Sequence, residues 1–158
     1  MRLTKFIALF VVGLALAACE TQTAGDTGGS AGGGASGPIR PGSQEDLAVN
    51  VGDRVFFGFD RSDLSAEAQA TLQKQAAWLK TYSSVAITVE GHCDERGTRE
   101  YNLALGDRRA TSVKNYLVAL GIPGNRLTTI SYGKERPAEL GSNDAAWAKN
   151  RRGVTVVN

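Results

Sequence analysis

The sequence predicts an α/β (α+β) fold, a mixed four-stranded sheet in the order β-α-β-α-β-(α)-β with two main helices packed on it. Three observations carry this expectation. Apolar residues return at helical spacing through two long segments, Ala68 to Tyr82 and Thr98 to Leu120. Short stretches around them alternate apolar and polar residues as strands do, most clearly Val85-Ala86-Ile87-Thr88-Val89-Glu90. Of the 158 residues, 44–158 make up the folded part, enough for one hydrophobic core and no second domain.

Residues 1–43 stand outside that fold. Arg2 and Lys5 form a basic start, and Phe6 to Leu16 form an apolar run. The run is shorter than the ~20 residues that cross a bilayer as a helix, so residues 1–18 read as a secretory signal. It ends in Leu16-Ala17-Ala18-Cys19, which resembles the bacterial lipobox, whose cysteine becomes the lipidated first residue of the mature chain. The alternative is an ordinary signal with an incidental cysteine. From Cys19 to Ser43 the chain is rich in Gly, with Gly28-Gly29, Gly32-Gly33-Gly34, Gly37-Pro38 and Pro41-Gly42. Such a segment buries too little apolar surface to offset its ordering entropy, so residues 19–43 are expected to be a flexible tether. Fully extended it reaches about 80 Å; as a coil it averages about 25–30 Å.

Within 44–158 the first strand is expected over Val51 to Phe59, interrupted by Gly58. Ser65 can cap a first helix whose Ala68, Leu72, Ala76 and Leu79 share one face. The second strand covers Val85 to Glu90. Thr98 then caps a second helix that runs to Leu120 and stops at Gly121, with Pro123 just beyond. Leu127 to Tyr132 forms a third strand, Asp144 to Lys149 a short helix, and Gly153 to Val157 a fourth strand. The crossover from the second strand to the third is expected to be parallel and right-handed.

Charge and residue content exclude several functions. The chain has 18 Lys plus Arg and 16 Asp plus Glu; losing Arg2 and Lys5 with the signal leaves 16 of each. A chain with no net side-chain charge lacks the basic face that nucleic acids require, and its aromatics are scattered over different elements, so no nucleic acid is expected. His92, Cys93 and Asp94 are consecutive, whereas a nucleophile, its base and an orienting group must converge, so no enzyme is expected. Glu90, His92 and Asp94 are the one set that could gather around a metal, but a lone histidine beside a Gly turn more often orders a loop. With Cys19 acylated, Cys93 has no disulfide partner and reads as a small packing residue.

Chemistry concentrates between Thr88 and Ala110, in the run TVEGHCDERGTREYNLALGDRRA. A strand turns at Gly91, passes the charged Asp94, Glu95 and Arg96, and enters the second helix. On that helix Leu103, Gly106, Ala110, Val113, Leu117 and Leu120 form a core-facing stripe. At about 100° per residue, Arg108 lies opposite the stripe, while Arg109 stands about 70° from its centre, able to reach the strand-end loop. Asn102 lies on the flank of Arg109, placed to steady the loop or touch a ligand. If the strand alternation persists past Gly91, His92 and Asp94 share the face of Glu90. The free N–H groups of the helix opening at Thr98 favour a nearby anion. Asp94, that helix start and Arg109 together suit a ligand bearing an amine and a carboxylate. The competing reading is that Asp94 and Arg109 simply pair with each other.

This run resembles the signature of the OmpA-like peptidoglycan-binding domain family, and the similarity extends over about Val55 to Val157. Within the family it is most similar to the lipid-anchored members. The resemblance implies the same architecture and a non-enzymatic role. It places on Asp94 and Arg109 the loop Asp and helix Arg that hold meso-diaminopimelate of peptidoglycan. Phe59-Asp60 resembles the Phe-Asp that borders the same pocket, so Phe59, Asp60, Thr98 and Asn102 are secondary candidates. The family usually carries Ala or Thr where Cys93 stands. It further implies an outer-membrane lipid anchor at Cys19 with the domain in the periplasm, compatible with Glu20 after the cysteine. The implied partners are TolB and other Tol proteins, in envelope integrity and cell division, with no cofactor and no metal.

Overall fold

The structure, a computed structural model, describes residues 38–158. The signal segment, Cys19 and most of the tether lie outside those residues. The elements are α1 (Gln44–Asp46) running into a π turn (Leu47–Val51), β1 (Arg54–Phe56), α2 (Ala66–Thr81), β2 (Ile87–His92), α3 (Arg99–Ala119), β3 (Leu127–Gly133), α4 (Asp144–Asn150) and β4 (Arg152–Val157). The strands form one mixed sheet in the order β1-β4-β2-β3. β2 and β3 are parallel, as a helical crossover demands, and β4 runs antiparallel to both β1 and β2.

One face of the sheet takes the helices. Ile87 and Val89 on β2 and Leu127 on β3 are buried there beside Leu72, Leu79, Val113 and Leu117 of the two long helices. α3 comes closest at a pair of glycines. A Cβ on Gly91 would lie 2.6 Å from the Gly106 carbonyl carbon, and one on Gly106 would lie 2.9 Å from Gly91 O. Two missing side chains therefore let helix and strand touch backbone to backbone, which sets how close Arg109 comes to the end of β2.

Local chemistry sets the helix ends. Ser65 Oγ accepts from Ala68 N, and Thr98 Oγ1 accepts from Tyr101 N, both at 3.2 Å. α3 stops in a Schellman turn at Gly121 (φ 92°), with Gly121 N donating to Val118 O and Ile122 N to Leu117 O. The end of α2 and the loop after it are met by a distant group: Arg126 donates to Leu79 O, Tyr82 O and Val85 O at 2.7–2.9 Å.

Three expectations need correction. The first strand does not span Val51 to Phe59 but only Arg54–Phe56, because Val51 closes a helical segment and Gly52 (φ 96°) turns the chain. That segment was not foreseen, since Leu47 is its one fully buried apolar side chain. It is held by tertiary contacts instead. Asp46 accepts from Gly42 N, Asn50 Nδ2 and Trp78 Nε1, and Gln44 pairs with the backbone of Thr155 and Val157. Order therefore reaches back into the expected tether, with Ser43 capping α1 and Ser43 N bonded to Arg40 O. On α3, Leu105 is buried in place of Leu103, so the stripe is rotated toward Arg109.

Candidate functional site

A cleft of about 160 Å³ opens where the β1–α2 loop, the end of β2, the start of α3 and the start of β4 meet. Its wall includes Phe59, Asp60, Asp94, Arg96, Tyr101, Asn102, Arg109 and Arg151. The volume is below the ~300–1,000 Å³ of drug-sized pockets, so the cleft admits only a small group.

Arg109 is fully buried. Its Nε donates to Arg61 O (2.8 Å), Nη1 to His92 O (2.8 Å) and Nη2 to Gly58 O (3.0 Å), so one guanidinium binds the β1–α2 loop to the end of β2. A guanidinium has five N–H donors, so these three bonds do not exhaust it, and Cys93 at the cleft lies against the remainder. Arg108, one residue earlier, is exposed, as helical phase predicts. Burial pulls the Arg109 pKa below its ordinary value, against the nearby Cys93 and Asp94, which raise it; a guanidinium so basic keeps its charge.

Asp94 is also buried, and it does not pair with Arg109. Its ion pairs are with Arg96 (Nη2–Oδ2, 2.6 Å) and Arg151 (Nη1–Oδ2, 3.3 Å). Burial raises the carboxyl pKa, but the side-chain and backbone bonds from Arg96 and the bond from Arg151 outweigh it and hold the group below the ordinary carboxylate range. It is therefore ionised at neutral pH.

The secondary candidates divide by role. Asp60 sits at φ 57°, in the left-handed region that Asp tolerates better than most residues, and takes a hydrogen bond from the Tyr101 hydroxyl. Phe59 is 61% exposed and covers the mouth of the cleft. Asn102 Nδ2 donates to Arg96 O and Thr98 O, so it steadies the loop. The Thr98 hydroxyl is occupied by its cap, and Thr98 is not among the cleft residues. Cys93 is buried at the cleft with Sγ 3.3 Å from Asn102 O, and burial pushes its thiol up, so it remains a neutral packing group. Arg151 and Tyr101 were missed as site residues. Arg151 carries no local signal, because its approach to Asp94 depends on the β4–β2 pairing.

Glu90 and His92 do share a face: Nε2 of His92 lies 3.2 Å from Glu90 Oε2. Among the described residues no group of three or more His, Cys, Asp or Glu is arranged to hold a metal. His92 is 1% exposed, and its Nδ1 has no partner among the described residues. Burial, then the charges of Arg152, Arg136 and Arg54, bring its pKa from 6.5 down to about 4. The folded protein therefore holds a neutral imidazole while the unfolded chain takes a proton below about pH 6.5. Stability carried by this group is fully present above pH 6.5 and is lost as pH falls from there to about 4. The slope is ~1.4 kcal/mol per pH unit, so urea unfolding at pH 5 should show a loss of about 2 kcal/mol against pH 7. His92→Gln should abolish most of that difference.

Comparison with known proteins gives the family. The OmpA family matches residues 56–151. A peptidoglycan-associated lipoprotein of Rhizobium meliloti is 52% identical over 147 residues, covering 93% of this chain and 84% of the relative. One from Brucella melitensis is 52% identical over 157 residues, covering 96% and 90%. Among solved structures, the peptidoglycan-associated lipoprotein from Burkholderia pseudomallei superimposes with a TM-score of 0.65 at 42% identity, covering 67% of this chain and 90% of that one.

Proposed function

Because the chain belongs to the OmpA family, as one of its peptidoglycan-associated lipoproteins, we propose that it grips the peptide of peptidoglycan non-covalently through this cleft. The ligand is the meso-diaminopimelate head group, a carbon bearing one ammonium and one carboxylate. The observation that carries this reading is the meeting of Asp94 and Asp60 with Arg109 and Arg151 around one small cleft. Arg109 stands in the cleft wall with N–H donors beyond its three carbonyl bonds, and a planar fork suits a carboxylate. An ionised Asp94 offers only acceptors, which suits the ammonium. Nothing in this arrangement needs a bond to break, so the protein holds the wall without modifying it.

Acylation of Cys19 anchors the chain in the outer membrane, and the Gly-rich residues 19–37 give the periplasmic domain reach to the wall. No described helix is long and apolar enough to cross a membrane. TolB and other Tol proteins are the partners this reading assigns, linking the anchor to envelope integrity and cell division.

Co-sedimentation of the purified full-length protein with peptidoglycan sacculi tests the proposal. The wild type should pellet with sacculi. Asp94→Asn, which cannot neutralise an ammonium, should lose on the order of 2–5 kcal/mol of affinity per folded molecule, and Arg108→Ala, a rim charge, should lose almost none. Failure of the wild type to sediment, or equal losses in both variants, would remove this assignment.

A further inference from the structure

Asp94 is the acid placed to take a ligand's ammonium, yet both of its oxygens are engaged. Oδ1 accepts from Arg96 N (3.2 Å) and Arg96 Nε (3.1 Å), and Oδ2 accepts from Arg96 Nη2 (2.6 Å) and Arg151 Nη1 (3.3 Å). An ionised carboxylate has about four lone-pair sites, so an incoming cation finds them all filled.

The two arginines are not equivalent. Arg151 is built into the wall, its side chain 16% exposed and its Nε bonded to Phe57 O at 3.0 Å. The Arg96 side chain is 34% exposed, and among the described residues its guanidinium makes no hydrogen bond except to Asp94. It lies between two aromatic rings, 4.1 Å from the centroid of Phe59 and 4.1 Å from that of Trp147. Trp147 is fixed in turn by its Nε1 bond to Glu95 Oε1 (3.0 Å). Phe59 comes from the β1–α2 loop and Trp147 from α4, so two separate elements each place a ring against the arginine.

The geometry points to Arg96 as an internal cation that fills the ammonium position of the cleft and thereby sets its selectivity. The inference rests on reading this cleft as the diaminopimelate site. A simple amine must displace a fork that holds Asp94 through two side-chain bonds and is kept in place by the two rings, and it gains only the carboxylate in return. A zwitterionic head group also gains Arg109 in the cleft wall, because its own carboxylate enters at the same time. Arg96 therefore rejects polyamines and lysine-like amines while admitting a group that brings both charges. Once displaced from Asp94, the guanidinium can stay between the rings and turn its fork outward.

The test uses two probes with one carbon chain: meso-diaminopimelate, and cadaverine, which is the same chain without its carboxylates. Each is titrated into the full-length protein and followed by amide NMR shifts. The wild type should prefer diaminopimelate by about 100-fold or more. Arg96→Met keeps a long side chain between the rings and removes the charge; it should strengthen cadaverine binding about tenfold and narrow the preference by a similar factor. Trp147→Leu loosens the clasp and should move cadaverine binding the same way, by about threefold. Unchanged or weaker cadaverine binding in Arg96→Met overturns the inference. A wild type that ignores diaminopimelate, with cadaverine binding gained in Arg96→Met, would keep Arg96 as the internal cation and discard the diaminopimelate reading.

Discussion

Arg109→Ala is expected to lower stability and abolish wall binding together. The side chain is fully buried, and its three hydrogen bonds run to carbonyls on the β1–α2 loop and the end of β2. Truncation leaves those carbonyls without their donor and removes the side chain that joins the two segments lining the cleft. A bond to a charged group contributes about 1.5–3 kcal/mol, and a buried polar group left unpaired costs about 1–3 kcal/mol. The desolvation that arginine no longer suffers offsets part of this, so a net loss on the order of 3–5 kcal/mol is expected. Against the ~5–15 kcal/mol that holds a typical domain, that is a large fraction. Arg109→Lys should recover little, because an ammonium cannot span three carbonyls set out for a planar fork. Urea melts beside sacculus sedimentation would decide it: wild-type stability in Arg109→Ala would show that the three bonds carry no net free energy. Arg108→Ala, exposed on the same helix, should match the wild type in both measurements.

Gly91→Ala should be at least as damaging, through overpacking. The new Cβ would sit 2.6 Å from the Gly106 carbonyl carbon and 3.1 Å from Gly106 Cα, and both are backbone atoms that no rotamer change can move. α3 would have to retreat from β2, stretching the bond from Arg109 Nη1 to His92 O one residue beyond the substituted position. Overpacking of this kind costs about 1–3 kcal/mol and more where backbone is the obstacle; at least 3 kcal/mol is expected here. Gly106→Ala meets Gly91 O at 2.9 Å and the Ser131 hydroxyl, which can rotate, so it should cost less. Thermal or urea denaturation that ranks the two glycines in the reverse order would show that helix and strand are not in backbone contact at Gly91.

Several features were legible because they depend on neighbours in sequence. The caps at Ser65 and Thr98, the stop at Gly121 and the parity of Ile87 and Val89 each follow from residues within one or two turns of each other. The separation of exposed Arg108 from buried Arg109 is likewise a matter of helical phase. The resemblance carried by the run around Asp94 added the family and the candidate ligand.

Only the tertiary structure decided what surrounds those side chains. Arg109 was expected on a flank reaching for a loop; its full burial follows from acceptors 48 and 51 residues away, at Arg61 and Gly58. Asp94 was expected to be open to a cation, and its two arginine partners include Arg151, 57 residues distant and brought near by the pairing of β4 with β2. The helical segment after Ser43 has one fully buried apolar residue of its own and takes its order from Trp78, Thr155 and Val157. In each case the local pattern was too weak to choose a conformation, and the choice was made by hydrogen-bond partners that approach only when the sheet closes.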